Sequence, residues 1–432
     1  MTALENLYRD HVGALTDHAH ALLDATGYDK LAIHGGRLVL KSSFDDQDWP
    51  FRPVPAVEHW AKVDWPDTTV VVTKGDKPRL AVVRSDSFWE RPEEPDWDLI
   101  RTGIEVVETS SFDEVAEMIR GGRIAFVGHD ASIATALGAD ANPTPVVEML
   151  HERRTIKTAY EIECMAEASR IAARGHVAAR DAFLAGETSE LAIHLAYLAA
   201  TGLDDPQCPY KNIVALNDAA AILHHIHYRT VDMSRSLLID AGAAHRGYCS
   251  DITRTYAAKI PGAEPFAELI ERMDHLQRAV VDAVAVGMQY EALHDRAHAM
   301  MGALLVETGL YRGSAESAVE LGVTRKLFPH GLGHSLGVQV HDVGMRLSQP
   351  REDNPFLRNT SKIAEGQVFT IEPGLYFIDT LLGQLKDGDG GKDVDWDRVE
   401  ALKPFGGIRI EDNVLVTADG HRNLTREAFA SL

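Results

Sequence analysis

The chain has 432 residues, of which 45% are hydrophobic and 25% are charged. This composition is that of a globular protein with a sizeable core, so it excludes a disordered or fibrous chain, and the length leaves room for two or three domains. The formal net charge of -22 repels phosphates and anionic lipids, which makes nucleic acid and membrane surfaces poor partners.

The N-terminal segment predicts a surface helix, because apolar residues recur at helical spacing from Leu4 to Leu22 and Gly27 follows as a stop. No basic segment precedes an apolar run as in a signal peptide, and no apolar run approaches the roughly 18 residues of a membrane span. The three cysteines, Cys164, Cys208 and Cys249, show no CxxC spacing. We therefore expect a cytoplasmic protein with reduced thiols.

Residues 1–155 predict an N-terminal α/β domain. A helix is indicated over 112–119, and residues 74–77 are typical of a hairpin turn. The predicted strands cover residues 30–33, 38–40, 68–73, 79–84 and 123–128.

Residues 156–432 predict a second domain of the α+β class. Helical patterns over 158–184 and 189–201 precede strands over 213–256, and helices over 266–308 precede a strand-rich C-terminal part. Runs of helices that alternate with runs of strands favour helices packed on an antiparallel sheet. The acidic, glycine-containing stretch 379–399 is expected to be a long mobile loop.

Four acidic residues lie in or beside apolar strands of this second domain. Asp240 and Glu372 each end an apolar run and are followed closely by glycine. Asp251 is predicted on one face of another strand, and Glu411 in a fourth. Carboxylates in apolar strands are costly unless a cation accompanies them. A hairpin near residues 245–247 is expected to bring Asp240 and Asp251 side by side.

A segment rich in glycine and histidine, HGLGHSLGVQVHD, begins at His330 and includes His334 and His341. Glycine lets the backbone approach a ligand closely, and neutral imidazole is a metal ligand and a proton carrier. Four carboxylates with histidine suit two divalent first-row metals and a metal-activated hydroxide. A single Ca²⁺ or Mg²⁺ is the alternative for the carboxylates, but histidine ligation favours Mn²⁺, Co²⁺ or Zn²⁺. The residues alone predict a metal-assisted hydrolase.

These residues and the strings TIEPG and GIRIEDN resemble the metallopeptidase family that contains aminopeptidase P, prolidase and methionine aminopeptidase. Within it, the strings YKNIVALN and ALKPFGG are most similar to the bacterial Xaa-Pro dipeptidases, or prolidases. The resemblance covers most of the chain from about residue 155. It implies a pita-bread catalytic domain, with helices packed on a curved antiparallel sheet, over residues 156–432.

The resemblance also implies a role for each site residue. Asp240 would bind one metal ion, Asp251 and Glu411 would bridge two, and His334 and Glu372 would hold the other, with Mn²⁺ as the expected metal. Glu372 would also be the general base. His341 would polarise or position the scissile carbonyl, and His330 would support the site.

The substrate would be an Xaa-Pro dipeptide with proline at its C-terminal end. Arg358 matches the position that binds the substrate carboxylate, a task suited to guanidinium. Tyr210 and Arg409 are assigned to substrate binding, with Arg409 also supporting the site. His224 matches the family's substrate-contacting histidine, and His227 stays an alternative because three histidines crowd this segment.

Similar enzymes are homodimers whose N-terminal domain closes the partner's site, and residues 45–49 are the candidate lid. The alternative enzyme is an aminopeptidase P-like exopeptidase that acts on longer Xaa-Pro peptides. A metal-free pita-bread binding module is the alternative from another class, and all five ligands argue against it. Organophosphate triester hydrolysis is a further activity that the resemblance suggests.

Overall fold

The computed structural model describes residues 2–84, 89 and 92–432. The chain forms two compact units, Met1–Glu163 and Cys164–Leu432. The division falls inside a helix that covers Ala159–Leu184, and the predicted boundary near residue 155 lies just ahead of that helix.

A six-stranded sheet forms the centre of the first unit, with the strand order β4-β3-β2-β1-β5-β6. β1 is antiparallel to β2 and parallel to β5, so the sheet is mixed. β1 is apolar and buried along most of its length because it lies in the middle of the sheet. The strands are β1 (Lys30–His34), β2 (Thr69–Thr73), β3 (Arg79–Val83), β4 (Glu105–Thr109), β5 (Ile124–Val127) and β6 (Asp140–Ala141).

The helices of this unit are α1 (Ala3–Thr26), α2 (Pro55–Glu58), α3 (Trp97–Ile100), α4 (Phe112–Ile119), α5 (Ala131–Leu137) and α6 (Thr144–Arg153). A capping box between Thr2 and Glu5 begins α1, and Gly27, with φ of 73°, ends it. The predicted N-terminal helix, the helix over 112–119 and the hairpin between β2 and β3 are confirmed.

The predicted strand over residues 38–40 is wrong. Leu40 makes one isolated bridge to Asp48, and the apolar side chains of 38–40 are 47–62% exposed. An apolar triplet resembles a strand in sequence, but no sheet face covers it among the described residues.

The second unit contains two three-stranded and two two-stranded antiparallel sheets, ordered β11-β8-β7, β12-β15-β16, β10-β9 and β13-β14. An isolated bridge between Thr253 and Glu411 connects two of these sheets. The strands are β7 (Ile213–Leu216), β8 (Ser236–Asp240), β9 (Ala244–His245), β10 (Tyr248–Cys249), β11 (Thr253–Ala257), β12 (Val368–Ile371), β13 (Gly374–Tyr376), β14 (Gly407–Arg409), β15 (Asp412–Thr417) and β16 (Gly420–Asn423).

Helices surround these sheets: α7 (Ala159–Leu184), α8 (Glu190–Thr201), α9 (Glu264–Val281), α10 (Tyr290–Glu307), α11 (Ala315–Glu320), α12 (Val323–Leu327), α13 (Asp379–Asp387), α14 (Trp396–Leu402) and α15 (Leu424–Ala430). The predicted loop over 379–399 is therefore wrong, because α13, a 3-10 turn and α14 cover most of it. Leu382 and Leu385 of α13 are buried, and this apolar spacing outweighs the acidic composition.

The main core of the second unit lies between α9, α10 and the strands β12, β14 and β15, with Phe266, Met273, Leu293, Phe369 and Val414 among its members. Such a core holds the strand ends in place, and the strand ends carry the predicted site. In the described part of the chain, no helix has the length and apolarity needed to cross a membrane.

Candidate active site

The ends of four strands bring the predicted carboxylates together. Asp240 is the last residue of β8, and Asp251 lies two residues before β11, whose Thr253 pairs with Asp240. Glu372 directly follows β12, and Glu411 directly precedes β15. The Glu411 backbone N–H donates to the Thr253 carbonyl at 3.1 Å, so backbone pairing between the sheets places these acids around one centre.

His334 reaches the same centre from a loop that runs along β12. Its backbone N–H donates to Thr370 Oγ1 at 3.1 Å, and its carbonyl accepts from the Thr370 backbone N–H at 2.9 Å. A Cβ on Gly333 would lie 2.0 Å from the Thr370 carbonyl oxygen. The glycine is therefore required for this close approach.

Asp251, His334 and Glu411 offer ligand atoms that all lie within 4.8 Å of one another, and all three residues are buried. His334 Nε2 is 3.3 Å from Asp251 Oδ2 and 3.6 Å from Glu372 Oε1. His334 Nδ1 contacts the Ser335 carbonyl at 3.0 Å, so this nitrogen carries a proton and Nε2 faces the carboxylates. That orientation is the one a metal-ligating imidazole needs.

Asp240 is held by two hydrogen-bond donors. Arg409 Nη2 donates to Asp240 Oδ2 at 2.6 Å, and the Tyr210 hydroxyl contacts Asp240 Oδ1 at 2.7 Å and also Asp251 Oδ1. Arg409 is only 5% exposed, and the carboxylate occupies its Nη2 atom. These contacts place both Tyr210 and Arg409 on the carboxylates. That the two residues also bind substrate stays a prediction.

The carboxylates carry more negative charge than their neighbours balance. Burial and the charge of Asp251 raise the pKa of Asp240 to about 6. Burial likewise raises the pKa of Glu372 to about 7, and burial with the charges of Asp251 and Glu372 raises the pKa of Glu411 well above its usual range. Burial also tends to raise the pKa of Asp251, but the His334 and Tyr210 hydrogen bonds outweigh it and lower that pKa.

These raised pKa values show that the site is short of positive charge. Divalent cations would supply it, and a set of carboxylate oxygens with one imidazole nitrogen suits hard or borderline divalent ions. The residues present therefore fit a divalent metal ion.

Behind the carboxylates lies a hydrogen-bond network that the sequence did not predict. The Tyr376 hydroxyl lies between Arg409 Nη1 at 2.8 Å and His330 Nε2 at 2.9 Å. Thr253 Oγ1 donates to Glu411 Oε2 at 2.6 Å and accepts from Arg409 Nε at 3.1 Å. Tyr376 lies two residues beyond Gly374 in β13, so the two residues are on the same face of the strand. That spacing was the one signal in the sequence that could have indicated Tyr376.

His330, predicted to support catalysis, has both ring nitrogens engaged. Its Nδ1 contacts the Gly331 carbonyl at 2.8 Å, and its Nε2 contacts the Tyr376 hydroxyl. Its Nδ1 also lies 3.7 Å from Glu372 Oε2. Burial and the charge of Arg409 lower the pKa of His330 to about 3, so the ring is neutral beside Glu372.

His341 and Arg358 lie together at the open side of the site. The His341 ring packs edge to face against His334 with 4.4 Å between ring centroids, and Arg358 Nη1 is 2.6 Å from His341 Nδ1. Burial, then the charges of His334 and Arg358, lower the pKa of His341 to about 3. Both side chains are on exposed residues, so a substrate can reach them.

The three crowded histidines have different surroundings. His225 is buried, and its Nε2 contacts Glu190 Oε2 at 2.7 Å. His224 and His227 are both exposed. Glu190, at the start of α8, was not predicted, because its partner lies 35 residues further along the chain.

Two family models match the chain. The model described as metallopeptidase family M24 matches residues 163–418, and the model described as the N-terminal domain of Xaa-Pro dipeptidase matches residues 6–151. The two matches divide the chain much as its two compact units do.

Several curated proteins are similar in sequence to this chain over nearly its whole length. A protein from Pseudoalteromonas atlantica named Xaa-Pro dipeptidase is 41% identical, with 99% of both chains covered. Proteins of the same name from Aeromonas hydrophila and Shewanella loihica are each 42% identical and cover 99% of this chain and 100% and 99% of their own.

Solved structures share the fold at lower identity. Proline aminopeptidase P II from Yersinia pestis superposes with a TM-score of 0.75 at 22% identity, covering 99% of this chain and 97% of its own. Zinc-substituted aminopeptidase P from E. coli in complex with product gives 0.74 at 21% identity, covering 98% and 97%. The predicted α+β architecture, an N-terminal domain followed by a pita-bread catalytic domain, is confirmed.

Proposed function

The chain belongs to metallopeptidase family M24 and is a metal-dependent Xaa-Pro dipeptidase, in which we propose that five side chains hold two divalent ions. The observation that supports this most strongly is the meeting of Asp251, His334 and Glu411 within 4.8 Å. It lies inside the segment that matches the family.

Asp240, Asp251, His334, Glu372 and Glu411 are the side chains that would hold the ions. Mn²⁺ is the proposed metal, because the donor set is rich in carboxylate oxygen and includes an imidazole. Arg409 and Tyr210 hold the Asp240 carboxylate and are proposed to orient it as well as to line the substrate site.

When bound, the ions activate the attacking water and polarise the scissile carbonyl. Glu372, the carboxylate that directly follows β12, would accept a proton from the attacking water and return it to the leaving proline nitrogen. His341 donates a hydrogen bond to the carbonyl oxygen as negative charge develops there. His330, whose Nδ1 lies 3.7 Å from Glu372 Oε2, would support the site as a neutral neighbour of this carboxylate.

Arg358 is proposed to bind the carboxylate of the C-terminal proline, which would limit the substrate to dipeptides. Its exposed guanidinium beside His341 supports this. His224 is proposed to contact the substrate, rather than His227, because residues 221–224 resemble the segment that carries the family's substrate-contacting histidine. His224→Ala is expected to raise KM more than His227→Ala, which serves as its matched control; an equal effect would contradict the choice.

A homodimer is proposed from the resemblance, with residues 45–49 as the lid. Phe44 is 98% exposed and Trp49 58% exposed, and such aromatic side chains are typical of an interface. Analytical ultracentrifugation is expected to give a dimer that Trp49→Ser weakens. A wild-type monomer at micromolar concentration would contradict the proposal. A cytoplasmic location is likewise proposed, and cell fractionation tests it.

A release assay with Mn²⁺ tests the substrate range. We expect hydrolysis of Xaa-Pro dipeptides and little release from Xaa-Pro-Xaa tripeptides or from dipeptides without proline. Aminopeptidase P-like activity is the alternative. Faster cleavage of the tripeptides would favour it and would contradict the role of Arg358 in selecting a terminal carboxylate.

A further inference from the structure

The contact between Arg358 and His341 determines which nitrogen of the imidazole carries the proton. Arg358 Nη1 lies 2.6 Å from His341 Nδ1. A guanidinium has five N–H donors and no acceptor. Nδ1 of His341 must therefore accept the hydrogen bond, and the proton of the neutral ring lies on Nε2.

We infer that Arg358 is a positioning residue for His341, because it holds the imidazole in the tautomer and orientation that present Nε2–H to the substrate. The inference rests on the proposed function, in which His341 donates to the carbonyl oxygen. Arg358 then has two tasks, since the same guanidinium is proposed to bind the carboxylate of the proline. One residue would connect recognition of the C-terminal end with activation of the scissile bond.

The ring contact between His341 and His334 does not determine which nitrogen of His341 faces the substrate. His341 packs edge to face on His334 with an interplanar angle of 88°. Turning the His341 ring by about half a revolution about its Cβ–Cγ bond would keep such packing nearly unchanged but exchange nitrogen for carbon at the edge. The hydrogen bond from Arg358 distinguishes the two orientations.

The two tasks of Arg358 are compatible. The contact to His341 uses Nη1, and the remaining N–H groups of a guanidinium can still bind a carboxylate. Lysine at position 358 would provide a donor and a charge, but it lacks the planar group that can bind both partners at once. Alanine would remove both the donor and the charge.

A substrate without a C-terminal carboxylate separates the two tasks. Wild-type protein, Arg358→Ala and Arg358→Lys are compared on an Xaa-Pro dipeptide and on the corresponding Xaa-Pro amide, with Mn²⁺ present. Arg358→Ala is expected to lower kcat roughly tenfold on both substrates, as mispositioned catalytic groups do, and to raise KM for the acid alone. Arg358→Lys is expected to recover part of kcat on the amide.

Arg346→Ala is the matched control. Arg346 is an exposed arginine in the same loop, and its guanidinium contacts the Gln349 side chain at 3.1 Å. This variant is expected to match the wild type on both substrates. If Arg358→Ala and the wild type hydrolyse the amide with the same kcat, Arg358 only binds the carboxylate and the inference is wrong.

The tautomer can also be observed without turnover. In protein labelled with ¹⁵N at histidine and loaded with Zn²⁺, the ring shifts of His341, assigned with His341→Gln, are expected to show a bare Nδ1 and a protonated Nε2. Arg358→Ala is expected to move the two shifts towards each other. Unchanged shifts would overturn the inference. Failure of the wild type to cleave Xaa-Pro dipeptides would instead overturn the proposed function.

Discussion

In the first unit Glu161 is buried between His59 and His11, whereas in the second unit Asp240, Asp251, Glu372 and Glu411 crowd around His334. Glu161 Oε1 is 3.2 Å from His59 Nε2, and Glu161 Oε2 is 3.7 Å from His11 Nδ1. Both regions therefore place carboxylate beside imidazole away from water.

The two regions differ in charge balance. Burial tends to raise the pKa of Glu161, but His59, His11 and Lys157 outweigh it and leave that pKa far below its usual range. The Thr158 backbone N–H also donates to Glu161 Oε2 at 2.8 Å and so joins the carboxylate to the start of α7. In the second unit burial leaves the pKa values of Asp240, Glu372 and Glu411 raised.

Residue types alone therefore do not identify a metal site, because both units place carboxylate beside histidine. In the first unit one buried carboxylate is compensated by hydrogen bonds from His59 and the Thr158 backbone N–H and by the charge of Lys157. In the second unit the carboxylates carry a surplus of negative charge that divalent cations would neutralise. Substitutions that remove one carboxylate charge should therefore act in opposite ways in the two regions.

The largest expected effect comes from Glu411→Gln. Loss of this carboxylate should reduce bound metal and lower kcat/KM on the order of a thousandfold or more, because metal ligands act as a unit. In metal-free protein the same substitution should raise the free energy of unfolding, since a neutral amide avoids the free-energy cost of burying this carboxyl among the other carboxylates. A metal-free protein that loses stability would show that Glu411 is compensated as Glu161 is.

Glu161→Gln is the matched substitution in the first unit. It removes the charged acceptor of the hydrogen bonds from His59 and the Thr158 backbone N–H and should lower the free energy of unfolding by about 3 kcal/mol. Urea denaturation measures the change. Metal content per chain is expected to stay at the wild-type value, and a loss of metal would remove the distinction between the two regions.

The free energy of unfolding should depend on pH through His11 in the first unit. Burial, opposed by Glu161, lowers the pKa of His11 from 6.5 to about 4. The folded state then binds fewer protons than the unfolded state in this window, so stability falls as the pH drops from about 6.5 towards 4, by roughly 1.4 kcal/mol per pH unit for one proton.

Urea denaturation of the wild type and His11→Gln at pH 7, 6 and 5 isolates this contribution. The groups facing His11 are Glu161, His59 and, through its charge, Arg153. The difference in unfolding free energy between the two proteins should shrink as the pH falls. A constant difference across that range would contradict the assignment of a neutral, buried His11.

The smallest expected effect is that of Thr253→Val. This change removes the hydroxyl that donates to Glu411 Oε2 at 2.6 Å. Metal affinity should fall roughly tenfold, the lower end of what support of a metal ligand contributes. Calorimetric titration with Mn²⁺ measures it. Thr253→Ser, which keeps the hydroxyl, should restore the affinity, and equal affinities for the two variants would contradict the role.

Part of the carboxylate cluster could be predicted because two of its members, Asp240 and Glu372, have a local signal. An apolar strand that ends in an acid with glycine close behind it marks Asp240 and Glu372 in the sequence, and glycine before His334 permits its close approach to Thr370. These signals arise within a few residues. The structure brings these three residues to one centre.

The supporting residues lacked such a signal. Thr253 meets Glu411 across 158 positions of the chain, and Tyr376 meets Arg409 across 33. Hydrogen bonds of this kind depend on the pairing between sheets, which strand patterns do not specify. The prediction of a loop over 379–399 was wrong for another reason. It was based on the acidic composition and overlooked the apolar spacing of Leu382 and Leu385, which are buried in α13.

Metal binding and activity measured on the same preparation test the account most directly. Protein purified without chelator is analysed for divalent metals and assayed on an Xaa-Pro dipeptide, before and after chelation and Mn²⁺ addition. We expect about two divalent ions per chain in the active protein and activity that returns with Mn²⁺. Fewer than one ion per chain, with no activity after Mn²⁺ is added, would contradict the account.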